Sequence, residues 1–265
     1  MRILPLALSL CSTMAFAQLG APNAGPAGFQ RTWSLGFQSY GPTLSGHFQG
    51  TQDGQPIAVD LEGDLGLGKD KTTPGFFLDY QGPRFAFQLS QGSAEYRGDR
   101  IVSRTVTVDG TSYTAGTRVV SHLKLASVDG VWTIKFLQDA DTWLGFDLGM
   151  QAWTVDLDAT SVPAVGTPSR SDIRVTAPVP QIGLSGGSRG YNGAVEAKAY
   201  VHFLGYKSAK YTLYGADLRI YPVSWFGLRA FYEGGRLDVP KGSIKDDLDL
   251  ELDRKGVGLG AVVRF

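Results

Sequence analysis

Histidines and carboxylates are the first candidates for chemistry. The chain holds three histidines, His47, His122 and His202. A histidine held by a nearby acid can act as a general base or activate a nucleophile. His202 is the candidate, because it falls on the polar, inward parity near the outer end of the alternating segment AVEAKAYVHF at 194–203. The competing use is a hydrogen-bonded histidine inside the fold. His47 and His122 fall in polar segments read as solvated. DLEGDLGLGKDK at 60–71 places Asp60, Glu62 and Asp64 at alternate positions. Their oxygens suit Ca²⁺, but no acid stands at the closing position of a calcium loop, so an acidic surface loop is expected. Gly186-Gly187 and Gly235 lack the strand–loop–helix setting of a phosphate loop. The one cysteine, Cys11, lies in an expected export signal. The mature chain then has no thiol nucleophile, disulfide or cysteine metal site. No cofactor and no metal are expected.

The elements that carry these residues have period two. In 194–203, Val195, Ala197, Ala199, Val201 and Phe203 form one face, and Glu196, Lys198, Tyr200 and His202 the other. Only a strand separates them so cleanly. In 212–220, Tyr214, Ala216, Leu218 and Ile220 oppose Gly215, Asp217 and Arg219. In 143–153, Leu144, Phe146, Leu148 and Met150 oppose Asp147, Gly149, Gln151 and Trp153. Further on, Phe226, Leu228, Ala230 and Tyr232 oppose Arg229, Phe231 and Glu233. If the 205–210 connection closes its hairpin symmetrically, Lys198 faces Asp217 and Glu196 faces Arg219, both opposite-charge pairs. With Arg229 and Glu233 they form an expected charge network on one inner wall. Asp79, Arg84, Gln88, Asp147, Gln151 and Arg264 point the same way. The ordinary purpose of such a network is to satisfy polar groups in a narrow interior.

Composition agrees with strands. Of 265 residues, 35 are glycine, 11% are aromatic and only 19% are charged, with Lys+Arg and Asp+Glu both at 25. The balance gives no basic field for nucleic acid. Residues 1–17 read as a signal peptide, with Arg2, a short apolar run and Ala15-Phe16-Ala17. Residues 18–30 read as a flexible leader and 31–265 as one β-barrel.

The last segment, GVGLGAVVRF at 256–265, sets Val257, Leu259, Ala261, Val263 and Phe265 on one parity. It resembles the C-terminal assembly signal of bacterial outer-membrane barrels. The acidic DLE-x-DLGL stretch is similar to one in an uncharacterised family of Gram-negative outer-membrane β-barrels of the small monomeric type. The resemblance implies outer-membrane localisation and outer-membrane lipid and lipopolysaccharide as surroundings. It also implies the barrel-assembly machinery as a partner through the C-terminal strand, and a monomer. It carries over no functional residue. The expected fold is an all-β, transmembrane, antiparallel up-and-down barrel of ten strands, or eight if the first two are one irregular edge.

Short turns near 81–83, 138–142, 187–191 and 222–225 define one end; longer connections near 41–71, 108–111, 162–175, 205–210 and 239–247 define the other. Tyr80, Phe136, Trp143, Tyr191, Tyr221, Trp225 and Phe265 fall at the short-turn end as an expected interfacial girdle. About 95–122 should stand clear of the membrane as a hairpin closed by Asp109-Gly110.

The functional expectation is a structural or interaction barrel, or a narrow solute path, with a charge-filled lumen. Outer-membrane barrel hydrolases (omptin proteases, lipid A deacylases, the outer-membrane phospholipase) keep a histidine near the rim. The placement of His202 is similar and implies, as one alternative, rim hydrolysis of lipid or peptide, although no motif of those families surrounds it. The other alternative is a soluble lipocalin-like binding barrel, in which the apolar face lines the cavity.

Overall fold

The computed structural model describes residues 31–52, 55–67, 73–108, 111–162, 167–206, 209–239 and 250–265. The expected signal peptide, the leader and the Asp109-Gly110 turn lie outside the described residues.

Thirteen strands form one antiparallel sheet. They are β1 (Thr32–Gln52), β2 (Gln55–Asp60), β3 (Thr73–Gln81), β4 (Phe85–Ile101), β5 (Val106–Val108), β6 (Thr111–Tyr113), β7 (Arg118–Gln138), β8 (Thr142–Val162), β9 (Arg170–Gly190), β10 (Val195–Tyr206), β11 (Ala209–Val223), β12 (Phe226–Val239) and β13 (Leu250–Arg264). The short strands β2, β5 and β6 sit at the long end. The other ten close into a barrel, because β1 pairs with β3 on one side and with β13 on the other. At the seam, Trp33 and Phe265 exchange both backbone hydrogen bonds at 2.9 Å.

Strand alternation decides which side chains leave the barrel. Leu35, Phe37, Phe76, Leu144, Phe146, Leu148, Ile182, Leu184, Leu218, Ile220, Leu228, Val257 and Leu259 are all exposed. Their partners in parity, among them Asp79, Asp147, Gln151, Asp217, Arg219 and Arg229, are buried. On β7 the outward apolar run extends from Val128 to Phe136. At ~3.3 Å per residue and the usual tilt, that run covers on the order of 23 Å, close to the apolar band of a membrane barrel. The arrangement is the reverse of the soluble alternative.

Above the band the molecule changes. β1, β7, β8 and β9 each have 21 residues, against 12 for β10. One side of the barrel therefore rises well past the other. In this extension the parity rule inverts: charged pairs such as Arg118–Asp99 and Arg170–Asp158 lie outside. Inside are Leu44, Val59, Tyr96, Val119, Leu123 and Leu157, all in one buried cluster. Both faces of the extension meet water, so its interior must be apolar as in a soluble domain.

Several expectations change here. The first long connection is largely ribbon, since β1 runs on to Gln52 and β2 folds back on it. The strand expected at 175–187 starts at Arg170 and ends at Gly190, and the turn that follows is a 3-10 turn at Tyr191–Gly193. The hairpin expected to prolong two strands instead separates from them after Ile101. It forms β5–β6, which bridges to β1 at Thr51↔Thr107. From there Tyr113 Oη donates to Ala159 O and accepts from Ser171 Oγ, both at 2.9 Å, so the hairpin crosses the mouth.

Candidate functional site: the barrel interior

The register around the expected network is as read from the sequence: Glu196↔Arg219 and Lys198↔Asp217 are cross-strand neighbours. The ion pairs run elsewhere. Glu196 takes Arg189 at 2.9 Å and Arg264 at 3.0 Å. Arg219 binds Asp79 at 2.5 Å and Asp217 at 3.2 Å. Arg229 binds Asp217 at 2.5 Å and also donates to Gln38. Lys198 Nζ reaches across to Gln88 Oε1 at 2.9 Å. Glu233 pairs with Arg254 at 2.5 Å and accepts from Tyr200 Oη at 3.0 Å. The reason is geometric. A long arginine on an inner wall reaches acids on distant strands, and a narrow lumen brings those strands together.

These contacts stack in layers from the short-turn end. The first layer is Glu196 with its two arginines, with the Arg264 guanidinium 3.8 Å from the Tyr221 ring. Lys135 closes the same level by donating to Gly82 O at 2.8 Å beside Trp143. Trp143 and Tyr221, expected in the girdle, are thus interior residues, 5% and 4% exposed. The girdle that remains includes Phe136, Tyr191, Trp225 and Phe265.

The second layer is the quartet Asp79–Arg219–Asp217–Arg229, two carboxylates against two guanidiniums. Both guanidiniums also stack on Phe77, at 5.0 and 4.4 Å from its centroid. Phe77 lies flat against the sheet because its neighbour is Gly36, where a Cβ would stand 2.1 Å from the ring. Fully paired charges of this kind make a rigid partition. Breaking one pair would strand its partner in low dielectric.

The third layer holds His202. Its Nε2 donates to Asp147 Oδ2 at 2.9 Å, while Thr133 Oγ1 and Ser185 Oγ donate to Asp147 Oδ1. Three donors on one carboxylate place a proton on Nε2, and in the neutral imidazole Nδ1 then carries the lone pair. The hydroxyls serve Asp147 and not His202, so no nucleophile stands on the base. His202 is near the end of its own strand, yet it is 4% exposed. Its partner on β9 is Gly183, and β9 continues to Arg170 above it. The expected rim position is corrected to the interior. Arg254, Arg189 and Asp129 were missed in the sequence. Arg254 had a usable signal, since it shares the parity of Arg264.

The last closure is the acidic stretch. Asp60, Glu62 and Asp64 do not gather around a common point. Asp64 accepts from Arg104 at 2.6 Å and from Asp60 N at 3.0 Å. Among the described residues, no group of three or more His, Asp or Glu is placed to hold a metal. The leucines of the stretch carry its role: Leu61, Leu65 and Leu67 are 0–3% exposed and belong to the apolar cluster. Ser121 Oγ donates to Leu65 O at 2.7 Å, and Arg100 to Glu62 O at 2.9 Å. Gly98 permits this seating, because a Cβ there would stand 1.8 Å from Leu65 O. What was expected as a surface loop is a plug.

Barrel closure, outward apolar band and polar interior together define an antiparallel β-barrel of the membrane-spanning kind. No protein-family model and no curated sequence matches the chain. Among solved structures, the outer membrane protease OmpT from Escherichia coli superposes with a TM-score of 0.57 at 10% identity, over 88% of this chain and 97% of that one. Ail, the attachment invasion locus protein of Yersinia pestis, gives 0.33 at 13% identity, over 90% of this chain and 99% of that one. The Pseudomonas putida toluene transporter TodX gives 0.34 at 9% identity, over 90% of each chain. The first superposition shows a shared fold. At 10% identity it transfers no activity.

Proposed function

We propose that this protein is an outer-membrane barrel with a closed lumen, a structural or interaction protein that holds a water-exposed β-domain at the cell surface. The observation that supports this reading is the succession of closures: paired-charge layers within the band and an apolar plug above them. A conducting pore needs a continuous hydrated path, and neither closure offers one. The short-turn end and both barrel termini face the periplasm in this reading, and the extension faces out. Just above the band, Lys124, Arg174, Lys210, Arg236 and Lys255 point outward at the height of anionic headgroups, which suits lipopolysaccharide. Phe265, exposed at the barrel seam, serves as the signal read by the assembly machinery.

Planar-bilayer recording tests the closed lumen. Purified protein is expected to give no resolved single-channel steps, and steady conductance by the unaltered protein contradicts the proposal. Rim hydrolysis finds less support, because His202 lies beneath the plug with no nucleophile on it. His202→Ala is expected to leave lipid and peptide turnover by the cells unchanged.

A further inference from the structure

Beneath the plug the interior holds a cavity of about 70 Å³. That is room for a few waters or for the head of a small organic molecule. Its upper wall includes Ala94 and Leu125, which belong to the apolar cluster, so the cavity borders that cluster. Its wall also includes Ser90, Ser127, Gln151 and His202, together with Asp129, Glu233, Arg229 and Arg254, the two arginines being paired with carboxylates. Two buried acceptors there have no hydrogen-bond partner among the described residues: His202 Nδ1 and Gln151 Oε1. Their residues are 4% and 3% exposed. Unmatched buried acceptors are costly, and a bound donor relieves that cost.

The apolar roof has a feature that a plain core lacks. Leu61, Leu65 and Leu67 come from a loop laid into the mouth, not from the barrel wall. The loop is tied down at its margin by polar contacts from Ser121, Arg100 and Arg104. The leucines belong to the same buried cluster as Ala94 and Leu125, which line the cavity. A segment held this way can be exchanged for an alkyl group without dismantling a strand.

We infer that this chamber is a binding site for a small amphiphile with a hydrogen-bond-donating head. The alkyl part takes the leucine positions, and the head, a hydroxyl or an amine, meets His202 Nδ1 and Gln151 Oε1. A carboxylate head brings only acceptors to these two atoms and meets Asp129 and Glu233 on the same wall, where Arg229 and Arg254 are already paired, so it is disfavoured. Entry is from the long end, and the paired-charge layers below stay closed. The inference therefore stands or falls separately from the conductance result.

The test uses full-length protein in lipid nanodiscs, labelled with 5-fluorotryptophan and read by ¹⁹F NMR in mildly alkaline buffer. Trp153 packs against the apolar cluster and reports on the chamber, while exposed Trp132 and Trp225 report on lipid. Decanol and decylamine are expected to shift Trp153 saturably, with Trp132 and Trp225 moving only in proportion to partitioning. Decanoate is expected to bind about tenfold more weakly or less, and Gln151→Leu to weaken decanol by about tenfold. Leu65→Ser is expected to strengthen decanol binding severalfold. If that variant does not assemble, the unaltered protein and Gln151→Leu decide the question. A Trp153 shift that tracks Trp132 without saturating overturns the inference: the chamber then holds water alone. Decanoate binding as tightly as decanol, or no effect of Gln151→Leu, overturns it as well.

Discussion

Asp217 faces two buried guanidiniums, Arg219 and Arg229, together. Asp217→Asn leaves two buried guanidiniums with one carboxylate between them. It is expected to destabilise the barrel by about 3–5 kcal/mol, read as a lower urea midpoint in lipid vesicles. Gly36→Val is expected to cost about 1–3 kcal/mol by lifting Phe77 off the sheet and from between the arginines, in the same assay. At this scale the sequence was informative about direction and weak about partners. Parity alone put Glu196, Lys198, Asp217, Arg219, Arg229 and Glu233 inside. It could not say that Glu196 would choose Arg189 and Arg264, because those choices depend on which distant strands a closed cylinder brings together.

Single elements follow the same division. β10, β11 and β12 were legible almost to the residue, because one face of each is apolar and one polar throughout. β1 and β9 run well past the segments their alternation marks, because their outward faces turn polar above the band while the strands continue. The leucine loop was misread for a related reason. Asp60, Glu62 and Asp64 draw attention to ligation, whereas Leu61, Leu65 and Leu67 do the packing. Leu65→Ala is expected to cost about 2–5 kcal/mol in the extension, with faster protease cleavage there and an unchanged membrane band. The β7–β8 turn is held by Asp139, which accepts from Thr142 Oγ1 at 2.6 Å and from the backbone of Asp141 and Thr142. These bonds, the Thr142 hydroxyl first, hold its carboxyl below the usual carboxylate range. Its contribution is therefore present above the ordinary Asp range and lost as pH falls through the lowered value. Thr142→Val is expected to raise the Asp139 titration midpoint, followed by ¹³C NMR of the carboxyl carbon.

As a whole the molecule is two β-structures on one set of strands. In the band apolar groups face out and charges face in; in the extension the order reverses. The switch follows the solvent, lipid below and water above, so orientation in the membrane is the central claim. Cys11 is the sole cysteine and falls in the expected signal peptide, so single cysteines can report position cleanly. The most direct measurement is labelling of whole cells with a membrane-impermeant maleimide. Asp172→Cys should react on intact cells, Leu148→Cys should stay unlabelled, and Asp141→Cys should react only after the outer membrane is permeabilised. Labelling of Asp141→Cys on intact cells with Asp172→Cys silent, or ready labelling of Leu148→Cys, would contradict the account.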